Sequence, residues 1–106
     1  MSWPEPPPPQ TYVLRLFVAG TSTRSQRAIA TVRRLCEDHL PGRCDLEVID
    51  VYTHPEATQA HQIIATPTLL KLEPGPTRRL IGELTPARIT AALNIMPVEG
   101  VSELPA

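Results

Sequence analysis

The apolar positions of this chain fall into short runs whose spacing changes from segment to segment. Tyr12 to Val18 (YVLRLFV) is nearly all apolar and rich in β-formers, interrupted by Arg15. That predicts a central strand covered on both faces. Ala19-Gly20-Thr21-Ser22 reads as a turn, and Thr23-x-x-Gln26 fits a capping box. Ala28, Ile29, Val32, Leu35 and Cys36 then recur at i, i+1, i+4, i+7 and i+8, one face of a 3.6-residue period. Arg24, Arg27, Arg33, Arg34, Glu37 and Asp38 occupy the other face, and Pro41-Gly42 ends the helix.

Leu46 to Val51 (LEVIDV) is a second strand. Strand, helix and strand in succession make a βαβ unit, which predicts that the two strands are parallel. His54-Pro55-Glu56 opens a short helix running to about Ile63, with Pro55 at a tolerated first-turn position. Thr68 to Leu72 and Arg79 to Leu84 read as a hairpin around Pro74-Gly75-Pro76. Thr85 caps and Pro86 begins a last helix, with Ile89, Ala92, Leu93 and Met96 on one face. The predicted order is β-α-β-α-β-β-α, an α/β domain with a mixed four-stranded sheet.

Composition places this pattern in one folded unit. The 106 residues, 42% hydrophobic and 20% charged, suit a single core rather than general disorder. Thirteen prolines are many, but five of them lie in residues 1–10 (MSWPEPPPPQ), an expected extended arm. Pro97 should stop the last helix, leaving residues 97–106 as a flexible tail around a domain at 11–96. A formal net charge of −1 carries no nucleic-acid footprint. No apolar run reaches the ~20 residues of a membrane span. No basic start and apolar stretch mark the N-terminus for secretion, so the cytoplasm is the expected location.

Candidate chemistry is sparse. A thioredoxin-type oxidoreductase needs a thiolate where the first helix begins, because the helix dipole and free N–H groups there activate it. Ala19 to Ser25 (AGTSTRS) supplies none. Cys36 falls on the apolar helix face and Cys44 beside a turn; spacing alone leaves open whether they pair. His39, His54 and His61 share no ligand spacing with the cysteines, so no metal site is expected. His54 reads as a cap or loop residue and His61 as a helix-surface one. The five glycines are scattered singly and form no phosphate loop, so no cofactor is expected. Asp50 is either a functional carboxylate or, the favoured reading, a strand-end acid bonded to backbone N–H groups.

The stretches YVLRLFVAG, LEVIDV and IIATPTLLKLEPGPTRRLIGEL together resemble the KaiB family of small clock proteins, over residues 11–96. The resemblance implies a thioredoxin-like fold in which Pro67, after Thr66, is a cis-proline kept as architecture. It implies a non-enzymatic regulator that binds a KaiC-type RecA-like ATPase in a clock, timer or stress circuit. KaiA-like proteins or histidine-kinase regulators are then the implied competitors. It also implies a second, fold-switched ground state that differs after the second strand and forms homo-oligomers, dimers or tetramers.

Matched to the family's binding surface, Arg27, Lys71, Arg78 and Arg79 are the implied partner-binding residues, exposed cations gathered around the first helix and the loop at Pro67. Glu47 stands where relatives often carry a basic residue, and Pro74-Gly75-Pro76 replaces a Pro-Leu-Pro turn. Ala92 aligns with a frequent glycine, which favours the helical, thioredoxin-like form by ~0.8–1.0 kcal/mol. Two alternatives stay open: a thioredoxin-fold redox protein, and a detached KaiB-like sensor module of a histidine kinase. The absence of any kinase region up to Ala106 favours a free-standing protein.

Overall fold

The computed structural model describes residues 11–93. The arm at 1–10, Met96 and the tail at 97–106 lie outside the described residues. The elements are β1 (Tyr12–Val18), α1 (Thr23–His39), β2 (Cys44–Asp50), α2 (Pro55–Ala60), β3 (Thr68–Glu73), β4 (Arg78–Ile81) and α3 (Pro86–Leu93). They form one four-stranded mixed sheet in the order β2-β1-β3-β4. β1 and β2 are parallel, with Tyr12 opposite Cys44 and Val18 opposite Asp50. β3 runs antiparallel to both β1 and β4.

Alternation along β1 divides the core into two layers. Leu14, Leu16 and Val18 point to one face, where they pack with Ala28, Val32, Leu35 and Leu40 of the α1 segment and with Ile89 of α3. Phe17 points to the other, with Ile49 and Leu70. The second face is only partly covered, because α2 is six residues long and buries none of its own. Arg15 therefore keeps some exposure on that face, about 20% of its side chain. Its Nε sits 3.0 Å from Glu47 Oε1, and Nη1 lies 3.8 Å from Asp45 Oδ1. The expectation of a strand covered on both faces holds only at the Phe17 end.

Several boundaries differ from the sequence reading for local reasons. Ser22, not Thr23, caps α1, its side chain accepting the Ser25 N–H. β2 begins at Cys44, two residues early, since its ladder with β1 starts at Tyr12. α2 stops at Ala60 instead of running to Ile63, and Gln62 takes the left-handed conformation at φ 55°. β4 ends at Ile81 rather than Leu84, because Gly82 (φ 100°) turns the chain. The Gly82 N–H then donates to Pro67 O at 3.0 Å, which ties the end of β4 to the start of β3.

The last helix packs Ala92 against the core. Ala92→Gly should cost about 1 kcal/mol, since glycine gives up helix propensity as well as a packed methyl. Urea unfolding checks this, and an unchanged midpoint would show that the segment gains nothing from its alanine.

Candidate protein-binding face

At one end of the sheet the C-termini of β1 and β2 meet the start of β3. The loop from β1 to α1 is fixed there by Asp50, whose Oδ1 accepts the Gly20 N–H at 3.2 Å and the Tyr52 N–H at 2.9 Å. Asp50 is thus the strand-end acid bonded to backbone donors. Gly20 has φ 67°, and a Cβ at that position would come within 3.5 Å of the Tyr52 ring.

The α1 N-terminus is closed by hydroxyls. Ser22 Oγ accepts the Ser25 N–H and donates to Ser25 Oγ, each at 3.1 Å. Ser25 is buried, and its own Oγ donates to Ala19 O at 3.1 Å. Capping and loop closure therefore consume both hydroxyls where a redox enzyme would hold its thiol. The Thr66–Pro67 peptide bond beside this end is cis.

Around the closed cap the surface is apolar and cationic. Thr23, Arg24 and Arg27 of α1 form a groove with Pro67, Glu83 and Leu84. Tyr52, Ile64 and Ile81 are exposed large apolar residues, Ile64 at 86%. The strand register brings all three to this same end, since Val18 lies opposite Asp50 and Thr68 is paired with both Phe17 and Ile81. Tyr52 follows one edge strand and Ile81 ends the other, so these exposed apolar residues are spread across this end of the sheet. Together with the groove cations they have the composition of a contact surface.

The four expected cations do not share this surface. Arg27 is exposed and lines the groove. Arg79 is exposed, and its guanidinium donates to the carbonyls of His61 (2.9 Å) and Gln62 (3.2 Å), bracing the end of α2 against β4. Arg78 is exposed at the far end of β4, opposite Lys71. Lys71 corrects the expectation most: it is 4% exposed, and its ammonium donates to the Pro74 and Pro76 carbonyls. Three residues along β3 separate it from Thr68, about 10 Å of strand. Lys71 therefore holds the β3–β4 turn from inside, and is not an exposed cation.

Burial, and then the neighbouring Arg78 charge, lower the Lys71 pKa. The unfolded chain then binds more protons than the folded one between that depressed value and about 10.4, so stability rises with pH across this alkaline window. Lys71→Met removes that titration. The stability of the wild type minus that of the variant should grow as pH rises through the window, read by chemical denaturation; a pH-independent difference would contradict it.

Of the remaining candidates, His54 is the N-cap residue of α2, its Nδ1 2.8 Å from Thr53 Oγ1. His61 is the C-cap residue of α2 and its ring packs 5.7 Å from that of Phe17, so it faces inward more than a helix-surface residue would. Among the described residues no group of His, Cys, Asp and Glu could hold a metal ion. No helix there is long and apolar enough to cross a membrane. In the sequence Arg24 reads only as part of the polar face of α1, and Tyr52, Ile64 and Ile81, which lie after β2, before β3 and at the end of β4, share no spacing that marks them.

Comparison with known proteins decides the family. The KaiB domain model matches residues 15–96. The chain belongs to the KaiB family. It is 42% identical over 90 residues to the circadian clock oscillator protein KaiB of Prochlorococcus marinus (strain MIT 9313), covering 84% of this chain and 76% of that one. It is 40% identical over 86 residues to the circadian clock protein KaiB3 of Synechocystis, covering 80% and 84%. Among solved structures, the N-terminal domain of Synechococcus elongatus SasA superposes with a TM-score of 0.68 at 26% identity, covering 88% of this chain and 89% of that one. A chloroplastic thioredoxin z matches with a TM-score of 0.67 at 23% identity over 80% and 77% of the chains, and shows the fold alone. This KaiB-family chain is thus thioredoxin-like in architecture, with its first helix capped by serines.

Proposed function

We propose that this KaiB-family protein is a non-enzymatic regulator that binds a KaiC-type RecA-like ATPase in the cytoplasm and so modulates a clock, timer or stress circuit. The observation that carries this reading is the KaiB domain match over residues 15–96, with clock proteins as relatives at about 40% identity. The closed helix N-terminus supports a binding role over catalysis, since both serine hydroxyls there are already committed. The end of the sheet that carries Arg24, Arg27, Tyr52 and Ile64 is the contact face this reading favours. Arg79 braces the neighbouring end of α2, whereas Arg78 and Lys71 lie at the far end of β4 and β3, outside this face.

Fold likeness to the SasA domain supports a shared docking mode, in which kinase-type or KaiA-like regulators compete for the same ATPase. Binding is proposed for the thioredoxin-like form, which the helical last segment makes unusually well populated; residues 86–95 seen by NMR mainly as a strand in a tetramer would contradict that. The test of function is a pull-down of the full chain with the KaiC-type ATPase of the same organism, in parallel with insulin reduction. Capture without reductase turnover is the expected result. Turnover that depends on Cys36 or Cys44, without capture, would favour a redox protein instead.

A further inference from the structure

We propose that Cys36 and Cys44 form a reversible disulfide modification site, closed by thiol–disulfide exchange with a low-molecular-weight disulfide of the glutathione class. The two residues are eight apart in sequence, on the last turns of α1 and the first residue of β2. The intervening turn, with Gly42 at φ 72°, folds β2 back beside the helix end. That return brings Cys36 Sγ and Cys44 Sγ to 2.7 Å while both cysteines remain free thiols. A covalent bond needs about 2.05 Å, so a small approach of the two sulfurs suffices, and the side chains already point at each other.

The pair is also reachable. Cys36 and Cys44 line a surface cleft with Glu37, Leu40, Pro41 and Gly42. Cys36 is buried, whereas Cys44 is partly exposed at the start of an edge strand. That difference in exposure sets the order of events at the two positions. The hydrogen bond shared between the two sulfurs lowers the Cys44 pKa, against burial and the nearby Asp45. The same hydrogen bond, then burial and the nearby Cys44 and Glu37, raise the Cys36 pKa. Cys44, the partly exposed sulfur, is the one a small disulfide meets first, and the buried Cys36 resolves the mixed disulfide.

The exchange balances without a further reagent. Cys44, having lost its proton to solvent, attacks one sulfur of the small disulfide RSSR. The S–S bond breaks, a Cys44–SR mixed disulfide forms, and RS⁻ leaves and takes up a proton. Cys36 then gives up its proton, attacks Cys44 Sγ and displaces the second RS⁻, which is protonated in turn. The small disulfide is reduced to two RSH, and the two cysteine thiols are oxidised to one disulfide.

This site lies far from the redox position of thioredoxin-type enzymes. Tyr12 pairs with Cys44, whereas Val18, at the other end of β1, leads to the serine cap. Oxidation would staple α1 to β2 at the end of the sheet remote from the proposed docking face.

The experiment equilibrates the native full chain with reduced and oxidised glutathione at graded ratios, quenches it with an alkylating agent and analyses tryptic peptides by mass spectrometry. Cleavage at Arg34, Arg43 and Lys71 places the cysteines in separate peptides, 35–43 and 44–71. The expected result is joint loss of both alkylation adducts as the ratio turns oxidising, with those two peptides recovered as one linked species from monomeric protein. Cys36→Ser should instead trap glutathione on Cys44, and Cys44→Ser should leave Cys36 unmodified. Retention of both adducts in the wild type at every ratio would overturn the proposal. So would two separate glutathione adducts, or linkage only between chains. Loss of ATPase capture in the pull-down would leave it untouched, because the exchange depends on no partner.

Discussion

Phe17→Ala should lower the folding stability of this protein by about 3–5 kcal/mol, the cost of emptying a large, fully buried aromatic site. Phe17 is the only phenylalanine in the chain and is 0% exposed. It forms the second core layer with Ile49 and Leu70, and Val51, Ala57, Ile63 and Leu72 pack around them. Few side chains stand ready to close the resulting cavity. α2 above it is one short helix without buried residues, and His61 at its end leans on the Phe17 ring. Small domains have only about 5–15 kcal/mol in total, so a large share of the stability should vanish. Urea denaturation gives the value directly. A loss below about 1 kcal/mol would show that this layer does not hold α2 to the sheet.

Reversing both groove cations, in the double variant Arg24→Glu and Arg27→Glu, should slow association with a KaiC-type ATPase by at least about tenfold at low salt. Both side chains are exposed on α1 and line the groove beside Pro67, so fold stability should hardly change. The expected signature is kinetic. Rim charges steer encounter, and the steering fades as the Debye length shrinks from ~10 Å at 0.1 M salt to ~3 Å at 1 M. Wild-type and variant association rates should therefore converge as salt rises. Equal rates at every salt concentration would move the contact face elsewhere.

The sequence made the sheet and its helices legible because their signals are local. The apolar run at Tyr12 to Val18, the periodicity of Ala28, Val32, Leu35 and Cys36, and the βαβ spacing each follow from one segment's own pattern. Boundaries were harder where a single backbone conformation decided them, as at Gln62 and Gly82. The candidate binding face is much less legible. Lys71 looks like an exposed cation in one dimension, and only the return of the chain through Pro74 to Pro76 supplies the carbonyls that draw its ammonium inward. Glu47 looked like a departure from a basic surface. In the structure it sits opposite Arg15 on the neighbouring strand and its carboxylate pairs with that guanidinium, a partner that strand register alone determines. Tyr52, Ile64 and Ile81 reach the same end of the sheet from three separate segments, which no spacing in the sequence connects.

The measurement that bears most directly on the proposed function is sedimentation velocity of the purified full chain with a KaiC-type ATPase from the same organism. With nucleotide present, the chain should co-sediment saturably with the ATPase, and the Arg24→Glu, Arg27→Glu variant should do so much more weakly. A chain that sediments alone at every ATPase concentration would contradict the account.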